Sequence, residues 1–306
     1  MRDAVENTSP TGRVLKVRRR DGGDVTGRLY RRRREGGDIP LRPRTATQAV
    51  AARDLVAEFL TARPFYISHR IGGTEYPEFT QAGLDASLRA GFKALEVSLR
   101  RCASGEYVMI HDWTTERTVP GTKYPIWSTP WDTLKTLRQA SGPLMRFTDL
   151  LEQLPDDVIL AIDHKATSSK QDANSSDLQA ELDLYTLLDD AFDGHPARRV
   201  LWKHFVNAGS VERAKARGYR TMCMLYPNEL ATADTSRWDV LGMEWNAPTD
   251  AWKQLTATGK PTIAHIITSQ SQAQTALGKG ANGLMASTPT TVHRVLNLSL
   301  IHISEP

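Results

Sequence analysis

The chain has 306 residues and is 40% hydrophobic, which leaves room for one large domain of about 250 residues plus an appendage. No run approaches the roughly 18 apolar residues of a membrane span, and no apolar stretch follows the first charges as a Sec-type signal would require. Two cysteines, Cys102 and Cys223, neither in a CxxC, exclude a disulfide framework and fit a reducing compartment, so the expected location is the cytoplasm or a phage particle.

The formal charge of +4 is unevenly spread. Residues 1–44 hold 13 Lys/Arg against 6 Asp/Glu, and the remainder holds 26 against 29. This basic arm repeats "RRRDGGDV" (18–25) as "RRREGGDI" (32–39). Gly-Gly between short β-prone runs reads as a hairpin turn. Two copies bury little, so the arm is expected to be a small β module or disordered on its own. Its charge suits nucleic acid, another protein or an anionic surface, although a charge run is more often a solvated face. The body, at −3, gives no expectation of a nucleic-acid partner.

Residues 45–63, "TATQAVAARDLVAEFLTAR", predict a helix with Val50, Leu55, Val56, Phe59 and Leu60 on one face and Pro64 as its stop. Short apolar strands then alternate with helical stretches: 65–69, 94–98, 158–163, 200–206, 220–226, 239–244, 261–266 and 282–286. Eight such units over about 220 residues predict a (β/α)8 TIM barrel over 45–297, with a doubly wound sheet as the competing layout. One further strand, 106–111 "EYVMIH", follows 94–98 after only seven residues. A parallel crossover needs about a dozen or more. It therefore reads as a hairpin inserted after strand 2, returning His111 to the rim that strand 94–98 leaves. The closing "SLIHISEP" resembles a translated cloning adaptor, and 298–306 is set apart as a non-native tail.

The active face of such a barrel is formed by the C-terminal ends of its strands. Those ends carry His69-Arg70, Glu96 with Ser98, Asp163 with Lys165, Lys203, Glu244 and His265, and the hairpin adds His111-Asp112. Each alone is a weak signal, since a strand-end histidine is more often structural. Period-two alternation puts Glu96 and Ser98 on one strand face. An acid inside a barrel must be paired or bound to metal, and a direct Asp163–Lys165 ion pair satisfies that as well as a metal would.

The ordered motifs "SHR", "YPEFT", "ALEVS", "VMIHDWTTERT" and "LAIDHK" resemble the glycerophosphodiester phosphodiesterase family, part of the TIM-barrel superfamily that includes phosphatidylinositol phosphodiesterases. That family reads His-Arg-Gly, Pro-Glu-Asn-Thr, Glu-x-Asp, a His-Asp after a hairpin, and Glu-x-Lys. The likeness is strongest over 65–165 and extends loosely over 50–297. Four positions depart from it: Ile71 for Gly, Phe79 for Asn, Ser98 for the second acid of Glu-x-Asp, and Asp163 for Glu.

The resemblance implies hydrolysis of glycerophosphodiesters, or of glycerol-phosphate polymers, to an alcohol and glycerol phosphate. His69 and His111 would be the acid–base pair, and Arg70, Lys165, Glu78, Lys203 and Glu244 would hold substrate. Glu96, Asp163 and Ser98 would form the metal position for Mg2+ or Ca2+. A hydroxyl at Ser98 and a shorter acid at Asp163 imply weak metal binding. Two alternatives remain: a non-catalytic glycerophosphate-binding module of a phage tail or cell surface, and a lipid-directed phosphodiesterase similar to sphingomyelinase D, with Trp113, Trp127 and Trp131 as an apolar rim.

Overall fold

The computed structural model describes residues 53–140, 142–165, 178–206 and 209–292, together with four short strands before them. The chain divides into two compact units between Ala52 and Arg53. In the first, Glu6–Ser9 pairs antiparallel with Gly12–Leu15, and Leu29–Arg32 with Asp38–Leu41. The second pair flanks Gly36-Gly37 of the repeat. The first pair is separated by Pro10-Thr11, whereas Gly22-Gly23 lies outside the described residues, as do residues 45–52 and 293–306.

In the second unit eight parallel strands close on themselves. They are β1 (Phe65–Ser68), β2 (Ala94–Arg101), β3 (Ile159–His164), β4 (Val200–Phe205), β5 (Arg220–Leu225), β6 (Val240–Glu244), β7 (Thr262–Ile267) and β8 (Gly283–Ala286). Each pairs with its successor, and β8 pairs back onto β1, which completes a TIM barrel. Strand alternation sorts the side chains. Tyr66, Leu95, Val97, Leu160, Ile162, Trp202, Cys223, Leu241 and Leu284 point outward into the main core under the helices. Ile67, Leu201, Met222, Ile263 and Met285, also buried, fill the inside. The barrel is therefore a packed core with a floor, and its inward residues turn polar only towards the C-terminal ends of the strands.

Three features position those polar residues. The first is the extension of β2 to Arg101, three residues beyond the predicted strand. The extra residues pair antiparallel with Tyr107–Met109, with Leu99 opposite Met109 and Arg101 opposite Tyr107. The hairpin so formed leads into an excursion with its own apolar cluster of Cys102, Val108, Ile110, Val119, Ile126, Trp131, Leu134 and Leu144, which supports the rim from outside. The second is the helix Leu55–Thr61, the part of the expected 45–63 helix that falls among the described residues, where it ends two residues before the predicted stop. It starts where the Asp54 carboxylate accepts from the Ala57 N–H at 2.9 Å.

The third is the helix Gln81–Arg89, capped by Thr80. Its first turn packs on the loop after β1: a Cβ placed at Gly83 would stand 2.3 Å from the Ile71 carbonyl oxygen. That atom is backbone and cannot swing aside. Gly83→Ala should therefore lower the unfolding free energy by about 1–3 kcal/mol, although in an open helix the same change stabilises by roughly 1 kcal/mol. A denaturant unfolding curve showing stabilisation would contradict this contact.

Candidate active site

The inward polar layer is built from three adjacent strands. The register sets Ser98 of β2 beside Asp163 of β3, and Asp163 beside Lys203 of β4, with Glu96 one inward step below Ser98. All four are buried. Lys203 Nζ donates to Glu96 Oε1 at 2.8 Å and to Asp163 Oδ2 at 3.2 Å. Lys165 Nζ lies 2.8 Å from the same Asp163 oxygen. The Ser98 hydroxyl is shut away from water and has no partner among the described residues.

Burial opposes ionisation of both acids, but Lys203 outweighs it at Glu96, whose pKa falls to about 2. Lys165 and Lys203 together hold Asp163 well below the carboxylate range. Burial likewise opposes the charge on Lys203, and Asp163 and Glu96 reverse it, holding the ammonium above the ordinary lysine value.

His69 opens the loop at the end of β1. The buried ring meets the Ser287 hydroxyl through Nδ1 at 2.6 Å, and the Ser287 carbonyl accepts from the Thr74 and Glu75 N–H groups. The loop is thus strapped to the end of β8. The Arg70 N–H donates to Glu96 Oε2 at 2.8 Å. Burial pushes the His69 pKa down to about 3, with Lys203, Arg70 and His265 adding to the shift against Glu96. The imidazole is neutral at pH 7.

The loop runs through left-handed backbone at Arg70 (φ 47°), Ile71 (φ 55°) and Phe79 (φ 56°). Such a position costs a side-chain-bearing residue about 1–3 kcal/mol. Ile71 and Phe79 are both fully buried in the main core, a gain of about 1.5–3 kcal/mol each, so packing offsets the strain. These are the two places where the resembling family has Gly and Asn, residues that adopt this backbone readily.

His111 returns on the excursion. Its Nδ1 lies 2.8 Å from Asp112 Oδ1. With Asp112 ionised, Nδ1 carries the proton and Nε2 is the nitrogen left with a free lone pair. Asp112 pairs with Arg117, which also pairs with Glu78, and Glu78 Oε2 accepts from Arg70 Nη1 at 3.0 Å. A second arginine holds the histidine's backbone: Arg100 donates from Nε and Nη2 to the His111 carbonyl at 3.1 and 2.9 Å, and Trp113 stacks on its guanidinium. Burial lowers the His111 pKa and Lys165 adds to that, while Asp112 opposes it.

The structure thus joins Arg70, Glu78, Glu96, His111, Asp163, Lys165 and Lys203 in one connected network at the mouth, with His69 preceding Arg70 in the chain and its ring held by Ser287. Glu244 and His265 stand beside each other in the β6–β7 register. Among the described residues the Glu244 carboxylate has no hydrogen-bond or ion-pair partner, and His265 Nε2 is likewise unpaired. Of the three tryptophans considered for a rim, Trp131 is buried, Trp113 lies beneath Arg100, and Trp127 is exposed.

Sequence reasoning passed over Arg100, Arg117 and Ser287. Arg100 shares the strand face of Glu96 and Ser98, and that alternation was the available signal. Arg117 stands five residues after Asp112, its ion-pair partner, in the His-Asp motif, and nothing local marks Ser287.

The expected metal donors do not fit a divalent ion. A cation shared by Glu96 and Asp163 at the 2.0–2.6 Å usual for Mg2+ or Ca2+ would fall where Lys203 Nζ stands. The third donor is an uncharged hydroxyl, and the remaining Glu96 oxygen is taken by the Arg70 amide. No group of three or more His, Cys, Asp or Glu among the described residues could hold a metal ion.

A closed parallel barrel with its ionisable groups gathered at the strand C-termini is an enzyme-type TIM barrel. The sequence profile of the glycerophosphoryl diester phosphodiesterase family matches residues 69–276, and the chain belongs to that family of phosphoric diester hydrolases, whose members generally depend on a divalent metal.

Glycerophosphodiester phosphodiesterase 1 of Bos taurus is 33% identical over 97 residues, 32% of this chain and 27% of its own length. The chain thus spans about a quarter of that relative. Among solved structures, an Oleispira antarctica phosphodiesterase in complex with the product sn-glycerol-3-phosphate has a TM-score of 0.62 at 18% identity, covering 77% of this chain and 97% of that one. A glycerophosphodiester phosphodiesterase of Agrobacterium tumefaciens has a TM-score of 0.60 at 16% identity, covering 76% and 98%. No helix among the described residues is long and apolar enough to cross a membrane.

Buried neutral histidines make the fold acid-sensitive. Burial holds His69 and His265 at about 3 and His204, on the outward face of β4, at about 4. The unfolded chain binds these protons from about pH 6.5 downward and the folded chain does not. Stability is therefore lost as pH falls from about 6.5 towards 4, by roughly 1.4 kcal/mol per pH unit for each group. Unfolding curves between pH 7 and 5 should show this decline, and His204→Gln should reduce its slope by about a third. A stability unchanged across that range would contradict the burial of these rings.

Proposed function

We propose that the chain hydrolyses glycerophosphodiesters, or glycerol-phosphate polymers of the same linkage, to an alcohol and glycerol phosphate. Family membership supports the reaction class. The observation that carries the assignment of roles is the pair of differently prepared imidazoles beside one cationic cluster: His111 is linked to it through Asp112, Arg117, Glu78 and Arg70, whereas the His69 ring is held by Ser287 on the loop whose Arg70 amide donates to Glu96. His69 is deeply buried and neutral, the state a base needs. His111 has Asp112 to stabilise its protonated form, the state an acid needs.

A phosphate seated at the mouth meets the remaining N–H groups of Lys165 and the third N–H of Lys203, beside the Arg70 guanidinium. Its negative charge raises the His69 pKa towards a useful range. His69 then takes the proton from the attacking hydroxyl, which is water or the hydroxyl adjacent to the phosphate on glycerol. The new P–O bond forms as the bond to the leaving alkoxide breaks, and His111 gives that alkoxide its Nε2 proton. Attack by the neighbouring hydroxyl yields a cyclic phosphate, which water opens by the same two groups in exchanged roles. Glu244, unpaired at the rim, accepts from glycerol hydroxyls, and the exposed Phe205 ring covers the carbon skeleton.

The test compares leaving groups. With a glycerophosphodiester, whose alkoxide leaves poorly, both His69→Ala and His111→Ala should lower kcat/KM by about 10²–10⁴-fold. With a nitrophenyl diester, whose leaving group needs no proton, His69→Ala should keep its full loss and His111→Ala should lose about tenfold or less. In the parent, kcat/KM should fall as pH rises through the His111 pKa, which burial and Lys165 place below the ordinary histidine value. Equal losses for both variants on both substrates would contradict the assignment, and wild-type rates in both would remove the reaction from this site.

A further inference from the structure

The cation of this site is part of the chain. Glu96 and Asp163 are two ionised acids inside the barrel mouth, and such a pair persists only with compensating positive charge. Lys203 Nζ supplies it, 2.8 Å from Glu96 and 3.2 Å from Asp163, with Lys165 on the far side of Asp163.

The charges of the whole network balance. Four acids (Glu78, Glu96, Asp112, Asp163) face four bases (Arg70, Arg117, Lys165, Lys203), each base within 3.2 Å of at least one acid. A divalent ion would add two uncompensated charges and would have to displace Lys203. Ser98, beside Asp163, brings no negative charge to retain it. The ammonium has three N–H donors and gives two of them to the carboxylates, which leaves one for a phosphoryl oxygen.

We propose that Lys203 takes the place of the divalent ion in this chain, so that its diesterase reaction needs no added metal. This rests on the function proposed above for the same mouth. As the phosphoryl group gains negative charge in the transition state, Lys203, Lys165 and Arg70 stabilise it as fixed cations held in place before substrate arrives. Lys203 also keeps Glu96 ionised, and Glu96 holds the Arg70 amide.

Two measurements test this independently of each other. First, the chelator-stripped full chain is titrated with Mg2+ and Ca2+ up to about 10 mM, well above the ~1 mM of weak calcium modules, and followed by calorimetry and thermal unfolding. No saturable binding and an unchanged Tm are expected. Lys203→Gln should lower the Tm in EDTA by about 10 °C, because, among the described residues, Glu96 loses its only cation and Asp163 keeps only Lys165, and millimolar Ca2+ should restore part of that loss. Second, turnover of a glycerophosphodiester by the parent should be the same in EDTA as with added Mg2+ or Ca2+, and Lys203→Gln should reduce it at least about a hundredfold.

Stoichiometric ion binding by the parent overturns the inference, as does turnover lost in EDTA and restored by the ion. If the parent turns over no diester with or without metal, the proposed function fails, and the binding titration still decides the role of Lys203. Should Lys203→Gln fail to fold, both measurements on the parent retain that power.

Discussion

Everything at the barrel mouth hangs on the ammonium of Lys203 held between Glu96 and Asp163. These three side chains come from β2, β3 and β4, so the contact ties together three neighbouring strands at the end where the site lies. Burying one unpaired acid there would cost several kcal/mol, and two would not stay ionised. With Lys203 present both are carboxylates, and each then does local work. Glu96 fixes the Arg70 amide and so the loop that carries His69, while Asp163 fixes Lys165. Replacing this cluster with apolar residues could leave the fold as stable or more so. Its presence is better explained by what it holds in place than by stability.

The two histidines are held by different means. His69 sits on a loop forced through left-handed backbone at Arg70 and Ile71, closed by the Gly83 contact and strapped to Ser287. Buried Ile71 and Phe79 keep that loop shut where glycine and asparagine would adopt the backbone without strain. His111 stands on a hairpin with a separate apolar cluster beneath it, and Arg100 grips its carbonyl. The first ring is buried and neutral, and the second is half-exposed beside an acid. This asymmetry is what the proposed division into base and acid rests on.

Much of this was legible from the chain. The eight strands fall within one residue of their expected ends, except β2, because period-two alternation and glycine punctuation mark buried parallel strands strongly. The hairpin followed from a spacing too short for a crossover. Strand-end reading found both histidines and every member of the acid–lysine cluster. The partner of Lys203 was not legible: a four-carbon stem can turn to solvent, to substrate or to either acid, and only the closed β2–β3–β4 register decides it. Ser287 and the Arg117–Glu78 pair were hidden because those contacts join segments far apart in sequence, such as His69 with Ser287. The left-handed backbone at Ile71 and Phe79 was hidden too, since bulky residues argue locally against it. The sequence thus pointed to Glu96 and Asp163 as metal ligands without revealing that the fold sets the Lys203 ammonium between them.

The most direct measurement is a crystal structure of the full chain grown in millimolar calcium with sn-glycerol 3-phosphate bound, with anomalous data collected to locate any calcium. The account predicts Lys203 Nζ within hydrogen-bond distance of both Glu96 and Asp163, the phosphate on Arg70, Lys165 and Lys203 between the two imidazoles, and no anomalous peak in the mouth. A calcium ion bound by Glu96 and Asp163, with Lys203 turned away from them, would contradict it.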